Sequence, residues 1–198
     1  MSSRDAILAS IRANLPAGDR PAPDVPLFDG ENPSDMRARF TKALLAMGGK
    51  LLPATADPLA EIQTRLAGVG ESCSTVPEIR GSRDLHAYAH PADLAAIDIA
   101  VIRAAFAVAE TGSLCLTDRL LGINGLGYLP QHLIVLLDPK HILPNIHYAY
   151  RRLEWREHHY AVLQTGPSAT ADIEGVLIHG AQGVRSLTVV LHESKPLY

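Results

Sequence analysis

The run YAVLQTGPSATADIEGVLIHGAQG, residues 160–183, decides how the chain is read. Apolar residues from Tyr160 to Leu163 stop at Gly166-Pro167, and Ser168, Thr170, Asp172 and Glu174 then fall on alternate positions. A second apolar run, Val176 to Ile178, follows at once. Glycine permits positive φ and proline presets φ at about −65°, so Gly166-Pro167 spells a turn. Ser168 and Thr170 carry oxygens that can cap such a turn and leave backbone N–H groups free to face an anion. A strand end, a tight turn of small hydroxyl residues and two carboxylates are the parts of a small-molecule site in an open α/β sheet. Ligands of such sheets collect beyond the carboxyl ends of the strands. A capped turn that binds nothing would leave the same pattern.

Outward from that run, composition sets the limits. The chain has 198 residues, enough for one substantial domain, and it is 47% hydrophobic and 20% charged. Aromatic residues make up only 5%, so packing rests on Ala, Leu, Ile and Val. A formal charge of −3 with scattered Lys and Arg gives no footprint for nucleic acid or an anionic membrane. Two cysteines, Cys73 and Cys115, cannot build a disulfide framework or supply four thiolates to an iron–sulfur or zinc site. They could form one bridge, but free, partly buried thiols fit a reducing compartment better. The opening residues, MSSRDAILASIRANLP, lack the apolar core of a signal peptide, and no apolar run is long enough to span a bilayer. A cytoplasmic protein without membrane insertion is expected.

Two regions emerge along the chain: residues 1–33, an N-terminal helix and proline-rich linker, and residues 34–198, an α/β domain. The spacing of Ile7, Leu8, Ile11 and Leu15 predicts an amphipathic helix over 3–15 that docks either on its own domain or on a partner. Pro16, Pro21, Pro23, Pro26 and Pro33 then spell an extended linker. Ser34 is the expected cap of a helix bearing Met36, Phe40, Leu44 and Met47, stopped by Gly48-Gly49. Asp57-Pro58 opens another with Leu59, Ile62 and Leu66. Cys73 to Ile79 reads as a strand and Asp84 to Tyr88 as a short helix. From Ile97 onward short apolar runs predominate, interrupted by a helix predicted over Asn145 to Trp155. Alternating helices and strands argue an α/β fold.

Several residues could carry chemistry. In FAVAETGSLCL (106–116), Glu110 stands between two apolar runs and before Thr111-Gly112-Ser113. At the mouth of a sheet it would serve as base, nucleophile or ligand clamp, or else hold the loop by accepting turn N–H groups. GINGLG (122–127) lacks the following helix of a dinucleotide site and reads as a flexible loop, a lid. His132 enters a strand and could meet Glu110 or an acidic ligand; a histidine capping a strand entry is the plainer reading. His179, before Gly180, is the best placed of nine histidines, with a buried backbone-bonded imidazole as its rival reading. No HExxH or Cys-xx-Cys occurs, so no metal is expected. The candidate site is thus Glu110 as the catalytic group, with Thr111, Gly112, Ser113, His132, Gly166, Pro167, Ser168, Thr170, Asp172, Glu174, His179 and Gly180 around a ligand. The two acidic hairpin tips, one bearing Glu110 and the other Asp172, are expected to meet in a single pocket.

The segments AETGSLCL (109–116), LPQHLIVL (129–136), TGPSATADIE (165–174) and GAQGVRSLTVVL (180–191) together resemble the LUD-domain family, in particular its lactate utilisation protein C type. The N-terminal helix and proline linker suit the same family. The chain departs from the family's pattern at Ala169, where a basic residue is common, and at Gln182-Gly183-Val184, where His-Gly-Pro is common. The resemblance implies a three-layer α/β fold like that of CoA transferases, ribose-phosphate isomerase and glucosamine-phosphate deaminase. It also implies a part in oxidising L-lactate alongside separate iron–sulfur proteins, with no cofactor held by this chain alone. Three functions follow: an accessory subunit of a lactate-oxidising system that binds a small acid or phosphate; an organic-acid sensor or scaffold without chemistry; or an acyl-CoA transferase-like enzyme with Glu110 as acyl acceptor.

Overall fold

The structure is a computed structural model that describes residues 2–16, 18, 21–28, 30, 35–152, 157–172 and 174–193. Helix α1 (Ser3–Ala13) starts at a capping box in which Ser2 and Asp5 bond each other's backbone, and it buries none of its residues. The linker behind it does pack. Asn145 Nδ2 donates to the Leu27 carbonyl at 2.8 Å, Arg151 donates to the Val25 carbonyl at 3.2 Å, and the Phe28 and His147 rings lie 4.6 Å apart. Helix α2 (Met36–Ala46) is capped by Asp35; Ser34, its expected cap, lies outside the described residues. Strand β1 (Lys50–Leu51) and helix α3 (Pro58–Ala67) follow, the latter opened by Asp57 and Pro58 as the sequence predicts.

Strand β2 is shorter than expected, Ser72–Ser74, because Ser74 turns back onto Val76 and Pro77 cannot donate to a ladder. The next strands are β3 (Ile99–Arg103), β4 (Phe106–Val108) and β5 (Ser113–Thr117), with the short helix α4 (Asp118–Leu121) after them. Strands β6 (His132–Leu137) and β7 (Ile142–Leu143) precede helix α5 (Ile146–Tyr150), which covers the start of the helix expected from Asn145. Leu153 and Trp155 of that expectation lie outside the described residues. The chain ends on β8 (Ala161–Gln164), β9 (Ala169–Thr170), β10 (Ile178–His179) and β11 (Ser186–Leu191).

Five strands form a parallel sheet in the order β1-β11-β6-β3-β2. Both faces are covered, which is why β6 and β11 read as almost unbroken apolar runs. On one face Val101, Ile134, Leu136 and Val190 pack against Ile62 and Leu66 of α3. On the other, Ala100, Ile102, Leu133, Val135, Leu187 and Val189 share a core with Phe40 and Leu44 of α2 and Leu114 and Leu116 of β5. Strand β5 belongs to a second, mixed sheet, β7-β4-β5-β8, whose outer face packs on Ala149 of α5. The layers are therefore α3, the parallel sheet, and the second sheet with α2, the three-layer α/β arrangement expected. Val176 to Ile178 is no core strand. Among the described residues Ile178 pairs only with Thr170, in the β9–β10 ribbon, and Val176 and Leu177 are each 60% exposed. Nor is GINGLG a lid: Gly125, Leu126 and Gly127 form a buried 3₁₀ turn, with Leu126 wholly enclosed.

Candidate functional site

The two tips singled out by sequence do meet, through hydroxyls. Antiparallel pairing of β5 with β8 sets Leu114 opposite Gln164, so the turn before β5 and the turn after β8 lie side by side. Thr111 Oγ1 is 2.7 Å from Ser113 Oγ, which is 2.5 Å from Thr165 Oγ1. Helix α2 clamps both turns. Gly112, at φ +71°, presses on the Ala43–Leu44 backbone, and Gly166, at φ +70°, presses on the Met47 carbonyl. A Cβ at either position would collide with that backbone. Next to Gly166, the buried Pro167 faces Gly48 across the same helix end.

The carboxylates part company at this point. Strand β4 runs beside β7, so the chain beyond Val108 follows Leu143 and Pro144: Ala109 N–H donates to the Leu143 carbonyl and Glu110 N–H to the Pro144 carbonyl. The Glu110 carboxylate then accepts the N–H of Ile146, the first residue of α5, at 3.2 Å. Glu110 is exposed and holds this corner. Asp172 instead lines a cavity of about 930 Å³ together with Ser168, Thr170, Tyr128, Gln131 and Arg185, and Glu110 takes no part in it. The single pocket expected from the two acidic tips is corrected accordingly. Pairing with β7 carries Glu110 to α5, while the Gly166 turn sends the chain the other way.

The cavity also lies at the opposite end of the sheet from the one expected. Gln131 immediately precedes β6, Arg185 immediately precedes β11, and Ala95 leads into β3, so the amino ends of three parallel strands form its floor. The β9–β10 ribbon forms a wall: Ser168 N–H donates to the Val184 carbonyl and Gly180 N–H to the Ser168 carbonyl, which pins the ribbon beside β11. Thr170 Oγ1 accepts the Asp172 N–H at 3.4 Å, the capping bond that the alternation predicted. His132 faces neither Glu110 nor the cavity; its Nδ1 is 2.8 Å from Ser186 Oγ across the β6–β11 pair. His179 is exposed, not buried, and its ring lies against Gly48. Glu174 is exposed in the turn between β9 and β10, at φ +54°, and does not line the cavity.

Arg185 is what sequence reading missed. It is exposed, and its guanidinium has no partner among the described residues. A lone arginine in GVRS gives no signal until the parallel register of β11 with β6 sets it beside Gln131. A smaller cavity, about 420 Å³, lies at the carboxyl end of β2 within the loop 74–84 and holds none of the expected site residues. Its Arg83 is already paired with Glu71 at 2.7 Å. Among the described residues, no group of three or more His, Cys, Asp or Glu side chains could hold a metal ion, and no helix is long and apolar enough to cross a membrane. Both cysteines are buried and neither forms a disulfide among the described residues; burial, aided by Asp84, pushes the Cys73 thiol up to about 11.

Comparison with known proteins bears on fold and family. No curated protein sequence matches the chain significantly. A solved structure of a DUF162-family protein from Deinococcus radiodurans, at 1.70 Å resolution, superposes with a TM-score of 0.60 and 18% sequence identity. The match covers 84% of this chain and 99% of that one, and at such identity it speaks for a shared fold. The LUD domain profile matches residues 90–192, slightly more than half of the chain, from the approach to β3 through the end of β11. That span holds both turns, the ribbon and the arginine at the strand entry, and the chain belongs to the LUD-domain family.

Proposed function

We propose that this chain is a subunit of an L-lactate-oxidising system, working with separate iron–sulfur proteins and binding a small acid or phosphate-bearing ligand in the cavity at the amino ends of β3, β6 and β11. Membership of a family associated with lactate utilisation supports the setting. The observation that carries the binding role is the convergence of Arg185, Ser168, Thr170 and Gln131 on one cavity. Arginine offers a forked, permanently charged donor set matched to carboxylate or phosphate, and hydroxyl and amide groups fix orientation around it. Asp172 adds an acceptor-only carboxylate that suits a ligand hydroxyl. The two thiols lie buried in the core, consistent with clusters carried by partner subunits.

The test is affinity purification from the native host followed by lactate-dependent dye reduction. The isolated chain is expected to show no turnover and to co-elute with proteins absorbing as iron–sulfur clusters. Arg185→Ala should lower turnover of the assembled system by about tenfold or more, the loss that follows from removing a charge-assisted pair. Undiminished lactate oxidation by a system from which this chain has been deleted would overturn the reading.

A further inference from the structure

The same cavity offers more than a three-carbon acid can use. Its volume of about 930 Å³ stands near the upper end of the range for sites that enclose whole drug-sized ligands. Three consecutive wall residues, Ala181, Gln182 and Gly183, have backbone N–H groups without a hydrogen-bond partner among the described residues. The Ser168 hydroxyl and the Arg185 guanidinium are likewise unpaired there. Gly180 and Gly183, at φ +70° and +78°, hold that turn in shape, and Gly183 is pressed so close to Tyr128 that a Cβ would lie 3.1 Å from the Tyr128 carbonyl oxygen. Successive free N–H groups in a glycine-bounded turn, with a cation and a hydroxyl beside them, make a concavity for phosphate oxygens.

The remaining lining completes a larger ligand. Tyr128 is 53% exposed and flanked by Leu129 and Ala95, which gives a planar base an aromatic surface with apolar edges. Asp172 accepts hydrogen bonds only, the chemistry that suits ribose hydroxyls and would repel a phosphate placed directly on it. We propose that this cavity binds a nucleoside diphosphate, free or as part of a larger cofactor, with phosphates on the 181–183 turn and Arg185, ribose on Asp172 and base on Tyr128. The assignment rests on the reading of this cavity as the ligand site and goes beyond it in naming the ligand class.

Isothermal titration of the full chain with ADP, GDP, CDP, UDP, inorganic phosphate and L-lactate tests it. At least one nucleoside diphosphate should bind about tenfold or more tightly than either small anion, since base stacking adds to the phosphate contacts. Arg185→Gln should weaken the diphosphate and inorganic phosphate alike. Tyr128→Ala should weaken the diphosphate about tenfold and leave inorganic phosphate unchanged, because stacking is lost while the anion contacts remain. Both side chains are exposed, so the variants should fold, and Ser168→Ala is a further check on the phosphate contacts. The assignment is overturned if no nucleoside diphosphate exceeds inorganic phosphate, or if Arg185→Gln and Tyr128→Ala both bind like the unaltered chain. L-lactate binding that depends on Arg185, with no nucleotide binding, would leave the small-acid reading standing and remove this one. Nucleotide binding by a chain that has no part in lactate oxidation would do the reverse.

Discussion

Gly112 shows how one residue joins the two turns. Its φ of +71° lies where a side chain is disfavoured, and the Ala43–Leu44 backbone of α2 occupies the space that a Cβ would need. Gly112→Ala is therefore expected to destabilise the chain by about 2–4 kcal/mol, the left-handed cost and the overpacking cost together. That corresponds to a fall of roughly 5–15 °C in Tm for a domain of this size. A thermal melt within about 2 °C of the unaltered chain would mean that α2 does not clamp this turn. The glycine was legible in the sequence because AETGS places it between two apolar runs. Its reason was not: sequence reading set it around a ligand, and the structure puts a helix there. Glu110 was misplaced for a related cause. A carboxylate at a strand end looks the same in sequence whether it faces a ligand or an N–H of the next helix, and only the parallel pairing of β4 with β7 decides between them.

The strand ends behave as units, and β3 shows what its own end requires. Arg103 closes β3 with its side chain 6% exposed; Nη2 contacts both Glu78 oxygens at 3.2 Å, and Nη1 has no hydrogen-bond partner among the described residues. Glu78 belongs to the loop that follows β2, so this ion pair fastens the loop to the sheet. A buried charge stripped of its partner costs more than the pair ever contributes. Glu78→Ala should accordingly destabilise by about 1–3 kcal/mol, below the fully buried range because Glu78 is 46% exposed. Arg103→Met, which removes the charge and keeps the bulk, should cost less than Glu78→Ala. Urea unfolding of the two variants decides the order, and a larger loss in Arg103→Met would show the pair to be a net stabiliser. At this scale helices α2 and α3, the predicted runs that became β3, β6 and β11, and the start of α5 were legible, since apolar periodicity and caps are local signals. The β9–β10 ribbon was not. Val176 to Ile178 has the composition of a core strand, and nothing local states that it pairs with the short strand eight residues upstream.

Across the whole molecule, the two ends of the parallel sheet have different work. The carboxyl ends of β3 and β6 are tied off by the Arg103–Glu78 ion pair and by the buried Asp138, whereas the amino ends of β3, β6 and β11 open onto the large cavity. Alternating elements made the α/β class legible and the family resemblance implied the layers, but register between distant strands chose the end at which Asp172 and Arg185 line one cavity. The N-terminal region remains the part least bound to this body. Helix α1 buries no residue and exposes Ile7 and Ile11 by 58% and 54%, and Leu15 just beyond it is 62% exposed, while Val25 to Phe28 are fastened to Asn145, Arg151 and His147. An isolated helix of this length is marginal in water, so it adds little to the stability of the fold it trails from. A chain lacking residues 2–15 should melt within about 2 °C of the full chain, whereas one lacking residues 2–28 should fall by roughly 2–6 °C, as one or two net hydrogen bonds are lost. Equal losses from both truncations would show that α1 packs on the body in solution. Retained stability in the short truncation, with loss of any iron–sulfur protein that co-elutes with the full chain, would assign the exposed stripe to a partner.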